Sequence, residues 1–428
     1  MARIVCAAPP LFGHMTPLVA LSEGLRARGH EVLVIDYFSQ PFWMPAGLRR
    51  VAVPSFNIEH AIGKVADGSL VTEALQALQQ FCLAVHADTL RHCREFVPDL
   101  LLFDQLLPLA PMLAGALGCR FAYTISSPLE FLPKCELPSC VSLGMTGAFN
   151  ALFADLCAGL ANSLPGCAGA QATPAHYLCF ATPAFCADDQ GAAGVIGGSG
   201  TTGTGPVSFI GPAFVRREPS TDDMELAARI ARFKGKKFFV SLGSVLAGME
   251  HNRAVALRIF RNIVLSHNEP DCLFLFSAPP DLLSEALADL PLQATILGSP
   301  FVNQFYLMAQ FDLVFAHGGY NTAAECLACG VPMIAFPFVF DQTWVAQRLQ
   351  QLGVGARVSR VRHTPAMLRA LADRLLTDPD VRAALAAMQR DVRRFDGPTC
   401  GAQVIEALLG APPRIVPMAG QLTAQYKL

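Results

Sequence analysis

Short apolar runs alternate along this chain with longer stretches whose apolar residues recur every three or four positions. That alternation predicts strands feeding helices. Residues 3–8 form the first run, and Pro9 to Gly13 interrupt it. Residues 17–28 place Leu18, Leu21 and Leu25 on one helical face, Gly29-His30 end the helix, and residues 31–36 (EVLVID) resume as a strand. Strand, helix and strand in this order predict a βαβ unit with a right-handed crossover, and so a parallel sheet. The order returns at residues 99–103, 108–117 and 120–125.

Between Gly191 and Gly205 the pattern dissolves into Gly, Ser and Thr, which predicts a loop. The loop holds a literal G-x-G-x-x-G at Gly198, Gly200 and Gly203. A dinucleotide-binding turn needs a strand before it and a helix after it. Pro206 and a strand-like 207–210 follow instead, so the match is rejected. Residues 211–235, proline-punctuated and then charged, read as a connection between domains. Beyond them lie strand candidates at 237–242, 272–277, 294–297, 312–316 and 332–336, most of them separated by helical stretches. The expected fold is α/β, with two doubly wound, Rossmann-like domains facing each other across a cleft. The first domain covers residues 1–213, a linker 214–235 and the second domain 236–428, with the final helix packing back on the first domain. Ligands in such sheets bind beyond the carboxyl ends of the strands.

Composition narrows the class. The chain has 428 residues, 52% of them hydrophobic and 15% charged, and a net charge of -2. No basic cluster exists to follow a phosphate backbone, which excludes nucleic acid as the expected partner. The first apolar run is too short for a secretory signal, and no stretch reaches about 18 uninterrupted apolar residues. No transmembrane segment is expected, and the location expected is cytoplasmic. With no export signal, the 14 cysteines read as reduced thiols. The isolated Cys326-x-x-Cys329 lacks a second ligand pair and reads as core thiols on a helix.

The most informative stretch is residues 301–342. A strand delivers the chain into His317-Gly318-Gly319-Tyr320-Asn321-Thr322, and a helix follows to Cys329. Glycines admit close backbone approach, and a helix N-terminus presents free N–H groups and a positive dipole end, a combination that binds phosphate without metal. The run His317-Gly-Gly-x-Asn-Thr-x-x-Glu325, then Gly330-Val331-Pro332, then Asp341-Gln342, resembles the donor signature of the nucleotide-sugar-dependent glycosyltransferases that include plant and macrolide glucosyltransferases. The resemblance extends over most of the chain. It is nearest to the bacterial zeaxanthin-glucosyltransferase-like branch, on the Ala8-Pro9-Pro10 opening and residues 238–244.

The resemblance implies a B-type glycosyltransferase fold and a donor site. His317, Gly319, Asn321 and Thr322 would hold the diphosphate with Ser244, Glu325 the ribose diol, and Asp341 and Gln342 the sugar hydroxyls. Phe301 stands where a Trp commonly stacks on the base, with Val302 beside it and Gln304 at the position of the family's Gln. Asn303 replaces the usual Pro, and Val345 replaces a common Asn, so UDP and dTDP donors, and hexose and deoxyhexose, all stay open. From local pattern alone, Thr322-x-x-Glu325 is also a capping box.

Transfer to a hydroxyl needs a base. His14, in Gly13-His14-Met15-Thr16-Pro17, is read as lying on the loop that leaves the first strand, and Asp104 ends the strand at 100–103. A carboxylate beside an imidazole fixes its tautomer and stabilises its cation. The resemblance implies the same His–Asp pair. Asp36 and Asp99 are weaker rivals. The expected reaction is a metal-independent, inverting displacement with no cofactor besides the nucleotide sugar, the helix N-terminus after Gly319 taking the charge of the leaving diphosphate. The apolar region 121–185 is read as lining a pocket for a small apolar alcohol, with ordinary core or a membrane-facing surface as alternatives. An epimerase on the same fold and a non-catalytic nucleotide-sugar binder are the rival functions.

Overall fold

The structure is a computed structural model that describes residues 1–40, 42–53, 55, 58, 71–126, 155–160, 162–164, 172, 174–186, 207–243, 252–338 and 341–410. The first sheet contains β1 (Arg3–Ala7), β2 (Glu31–Asp36), β3 (Arg49–Ala52), β4 (Leu100–Asp104), β5 (Arg120–Ile125), β6 (His176–Cys179) and β7 (Val207–Phe209), in the order 3-2-1-4-5-6-7. The second contains β8 (Lys236–Ser241), β9 (Cys272–Ser277), β10 (Thr295–Ser299), β11 (Leu313–Ala316), β12 (Met333–Ala335) and β13 (Gly355–Arg357), in the order 10-9-8-11-12-13. Every described pairing is parallel. The strand order turns back at β1/β4 in one sheet and at β8/β11 in the other. These are the two topological switch points where doubly wound sheets bind ligands.

Each parallel sheet is covered on both faces, which is why its central strands are apolar without interruption. In β4, Leu101 and Phe103 face one side, packed with Phe81 and Cys82 of α2 (Val71–Phe96) and with Met112 and Leu113 of α3 (Ala110–Leu117). Leu100 and Leu102 face the other side, packed with Leu18, Leu21 and Leu25 of α1 (Phe12–Ala27). The second sheet is covered by α4 (Thr221–Arg232), α5 (Arg253–Ser266), α6 (Pro280–Leu287), α7 (Tyr320–Cys329), α8 (Gln342–Gln351), α9 (Pro365–Thr377) and α10 (Pro379–Arg393). A last helix, α11 (Gly397–Leu409), returns to α1, where its Ala402 and Ile405 join the core of the first sheet.

Three expectations change. The first helix begins at Phe12, not near residue 17, so His14 sits in its first turn and not on a loop. Leu11 starts it, its carbonyl accepting from the N–H groups of His14 and Met15. Pro17 lies inside the helix. It removes one helical hydrogen bond and leaves the Gly13 carbonyl without its usual partner. The connection 214–235 contains a full helix, α4, started by a capping box between Ser220 and Asp223. Ala227 and Ile230 of that helix are buried in the second-domain core, so the segment is not a plain linker. Finally, Thr322 does not cap anything: Gly319 is the N-cap of α7, and Thr322 is inside the helix. The Gly-rich loop 191–205, with its G-x-G-x-x-G, lies outside the described residues.

Candidate functional site

The two switch points face one cleft. On the first domain, the carboxyl ends of β1 and β4 bring His14 and Asp104 together. His14 Nδ1 lies 2.9 Å from Asp104 Oδ1, with the imidazole side chain 14% exposed and the carboxylate fully buried. A carboxylate oxygen can only accept, so Nδ1 carries the proton and the lone pair belongs to Nε2. Burial works against the imidazolium, but the Asp104 charge, its hydrogen bond and the Asp341 charge outweigh it and raise the His14 pKa above the ordinary value. Asp104 Oδ1 also accepts from the Leu106 N–H at 2.9 Å, which fixes the carboxylate plane.

The rivals Asp36 and Asp99 have other work. Asp99 Oδ2 accepts from the Arg3 N–H at 2.7 Å. Asp36 pairs with Arg50 at 2.8 Å and accepts from the N–H groups of Phe38 and Phe42. It thereby folds the chain after β2 so that Phe38 and Phe42 meet Phe12 of α1, with ring centroids 5.0 to 5.5 Å apart. Phe12 is 44% exposed, two residues before His14. This aromatic cluster close to His14 in the chain was invisible in the sequence, because Phe12 belongs to α1 whereas Phe38 and Phe42 lie in the segment after β2.

Of the region 121–185, residues 127–154, 161, 165–171 and 173 lie outside the described residues. Phe121, Tyr177 and Phe185 are core. Phe185 packs on Tyr320 and Trp344 of the second domain, with ring centroids 5.1 and 5.6 Å away.

On the second domain, β11 ends into His317 and the N-terminus of α7, whose N-cap Gly319 has no side chain to bond the first N–H groups, and no described side chain caps them. Those donors are free for an anion. The His317 ring fits between two glycines. A Cβ at Gly319 would stand 2.5 Å from its Nε2, and one at Gly243, which has a φ of +81°, 2.8 Å from its Cε1. Burial lowers its pKa to about 4 against a weak opposing bond to the Ser241 backbone, so the ring is neutral at pH 7. Glu325 is held by Gln304, whose Nε2 donates to its Oε2 and lies 3.2 Å from Thr322 Oγ1. Burial raises the Glu325 pKa to about 7, with the Gln304 bond opposing. Phe301 is 77% exposed, and Val302 packs against the core beside it.

Asp341 is the N-cap residue of α8, and burial raises its pKa to about 6 with the His14 charge opposing. Gln342 is buried and accepts the Phe338 N–H at 2.8 Å, so its oxygen braces the loop. Asn321 reaches across the cleft, its Nδ2 donating to the Gly13 carbonyl at 3.1 Å, the group that Pro17 leaves without a helical partner. Ser244 lies outside the described residues. Cys326 is buried against Met308, and burial pushes the Cys329 thiol up to about 12, so both are core thiols. No described helix is long and apolar enough to cross a membrane.

Residues 284–408 match the family of the C-terminal domain of erythromycin biosynthesis protein CIII. A demethyllactenocin mycarosyltransferase of Streptomyces fradiae is 37% identical over 119 residues, 28% of this chain and 26% of that protein. A zeaxanthin glucosyltransferase of Pantoea ananas is 27% identical over 215 residues, 50% of this chain and 47% of that protein. The chain thus aligns with about a quarter and about half of these two relatives. Among solved structures, the glycotransferase of kitacinnamycin superposes with a TM-score of 0.68 at 21% identity, covering 96% of this chain and 99% of that one.

Proposed function

From a chain whose residues 284–408 belong to the erythromycin-biosynthesis CIII-like C-terminal domain family, and whose two sheets form a B-type glycosyltransferase fold, we propose an inverting, metal-independent transferase. It moves a hexose or deoxyhexose from a UDP or dTDP sugar to a hydroxyl of a small apolar acceptor. The observation that carries this reading is the His14–Asp104 pair at 2.9 Å, set across a cleft from the open N-terminus of α7.

Each part has a task. His14 Nε2 takes the acceptor proton as the hydroxyl oxygen attacks the anomeric carbon, and the bond to the nucleoside diphosphate breaks on the opposite face. Asp104 stabilises the imidazolium formed. The free N–H groups of α7, with neutral His317, Asn321 and Ser244, take the charge that develops on the leaving diphosphate, as preorganised donors do. Gln304 orients Glu325 for the ribose diol, and Phe301 offers an exposed face to the base. Asp341 and Gln342 bind the sugar hydroxyls. Phe12, Phe38 and Phe42 favour an apolar acceptor, because small-molecule sites are mostly apolar with few polar anchors.

Purified protein incubated with UDP and dTDP sugars and a panel of lipophilic alcohols, free sugars and charged peptides tests the reading by product mass. The expected result is a glycoside of an apolar alcohol, formed within about a factor of two of its normal rate in excess chelator. Isomerised sugar without acceptor would identify an epimerase, and binding without turnover a non-catalytic binder. Loss to chelator restored by Mg²⁺ refutes metal independence.

A further inference from the structure

Ser126 follows β5, directly beside β4 in the sheet, and is buried at 7% exposure. Its Oγ lies 2.9 Å from His14 Nδ1 and donates to Asp104 Oδ2. The three side chains close a triangle, because His14 Nδ1 also meets Asp104 Oδ1. Only one arrangement of protons satisfies it. The carboxylate cannot donate, so the imidazole proton sits on Nδ1 and the hydroxyl proton points to Oδ2. The Ser126 oxygen then offers its lone pair as a second acceptor for Nδ1–H. Asp104 accepts from His14 and Leu106 on one oxygen and from Ser126 on the other.

We propose that Ser126 is the positioning residue of the base: its hydroxyl holds the Asp104 carboxylate and the His14 ring in one plane and spreads the carboxylate charge. The proposal rests on the reading of His14 as the base that takes the acceptor proton. The charged groups acting on His14 are Asp104 and, from the second domain, Asp341. Removing the hydroxyl does two opposed things to the imidazolium. Asp104 loses a donor and its charge acts on His14 more fully, while Nδ1–H loses a neutral acceptor. Asp104 keeps its unit charge with or without that donor, whereas the lone pair lost at Nδ1–H faced the imidazolium directly, a charge-assisted bond, so the second effect wins. The His14 pKa then falls, and the ring is also less well held.

The test uses the full chain and two independent readouts. Without any substrate, the titration of the His14 imidazole is followed by NMR, its signal assigned by its absence in His14→Gln. Ser126→Ala is expected to move the midpoint down by about half a pH unit, and Ser126→Thr, which keeps a hydroxyl, to leave it in place. In the transfer assay, Ser126→Ala is expected to lower kcat about tenfold with donor KM within about twofold, as misplacement of a base does. Ser126→Thr restores kcat. In an Asp104→Asn background, Ser126→Ala should change kcat by less than about twofold, because the carboxylate it holds is gone. An unmoved midpoint with unchanged kcat, or a loss that simply multiplies with that of Asp104→Asn, overturns the proposal. If the wild-type chain transfers no sugar while the midpoint still moves, the functional reading fails and takes the base-positioning role with it, leaving only the hold of Ser126 on the His14–Asp104 pair.

Discussion

His14 is flanked by two carboxylates that do different things. Asp104 holds the ring from the same sheet, whereas Asp341 acts on it from the other domain. His14→Ala should lower turnover by roughly two to four orders of magnitude, the usual worth of a general base. Donor affinity measured by calorimetry should stay within about twofold. Asp104→Asn keeps the imidazole and should be the milder lesion; near-normal turnover in His14→Ala removes the base assignment. The acid limb of kcat/KM should lie above the ordinary imidazole value, because both carboxylates favour the protonated ring and the base works only when deprotonated. Asp341→Asn removes one of them, so the limb should shift to lower pH, and an unmoved limb would show that the domains do not couple at His14. Asp104 was legible in the sequence because it ends an apolar strand, and His14 because it stands in Gly13-His14-Met15-Thr16-Pro17 shortly after the first strand. Ser126 was not, since a serine after a strand has no distinguishing neighbours and acquires meaning only when β5 is laid against β4.

Among the elements, α7 concentrates the residues proposed to bind the donor. Its first turn offers free N–H groups, and one turn further its Glu325 faces Gln304. A carboxyl raised from 4.5 to about 7 is favoured in the fold when protonated. Its contribution to stability is therefore full below about pH 4.5 and is lost as pH rises through 7. Glu325→Gln removes the charge and keeps the hydrogen-bonding capacity. Thermal melts of the ligand-free protein should show a gain in midpoint at pH 8 that exceeds any gain at pH 5, together with weaker donor binding. Equal shifts at both pH values would mean that burial of this charge does not limit stability. The strand–turn–helix around α7 was plain in the sequence because apolar run, glycines and helical spacing agree there. The start of α1 was not, because proline is favoured in the first helical turn and Pro17 looked like a beginning. The helix α4 was hidden by the prolines before it and by charges that the capping box uses to start it.

At the scale of the molecule, the described chain crosses between the two domains twice, and the second crossing carries the larger consequence. Arg348 of α8 donates to the backbone carbonyls of Phe185 and Ala184, joining the domains on one side. Past residue 396 the chain leaves the second domain, and α11 lies along α1 so closely that a Cβ at Gly24 would meet Pro398 at 2.8 Å. One buried cluster fixes this return. Glu406 takes both guanidinium nitrogens Nε and Nη2 of Arg28 at 3.0 and 2.6 Å, and His30 Nε2 at 3.2 Å. Bidentate geometry is the strong form of such a pair, and both side chains are nearly excluded from water. Removing one partner strands the other charge, which costs about 3–5 kcal/mol in buried pairs. The Arg28 hydrogen bonds, together with the His30 bond and both positive charges, hold the Glu406 carboxyl below its ordinary value despite its burial. The stability it supplies is thus present above the ordinary carboxyl range and lost as pH falls through the lowered one. Glu406→Ala should reduce the free energy of unfolding at pH 7 by about 3–5 kcal/mol in urea titrations, and by clearly less at pH 3. Because His14 lies in the first turn of α1, release of α11 from the back of that helix should also lower kcat in folded enzyme at low temperature while donor affinity, proposed to reside in the other domain, holds. A variant that loses stability but keeps full turnover would show that α11 serves only as a fastening and does not hold the helix that presents the base.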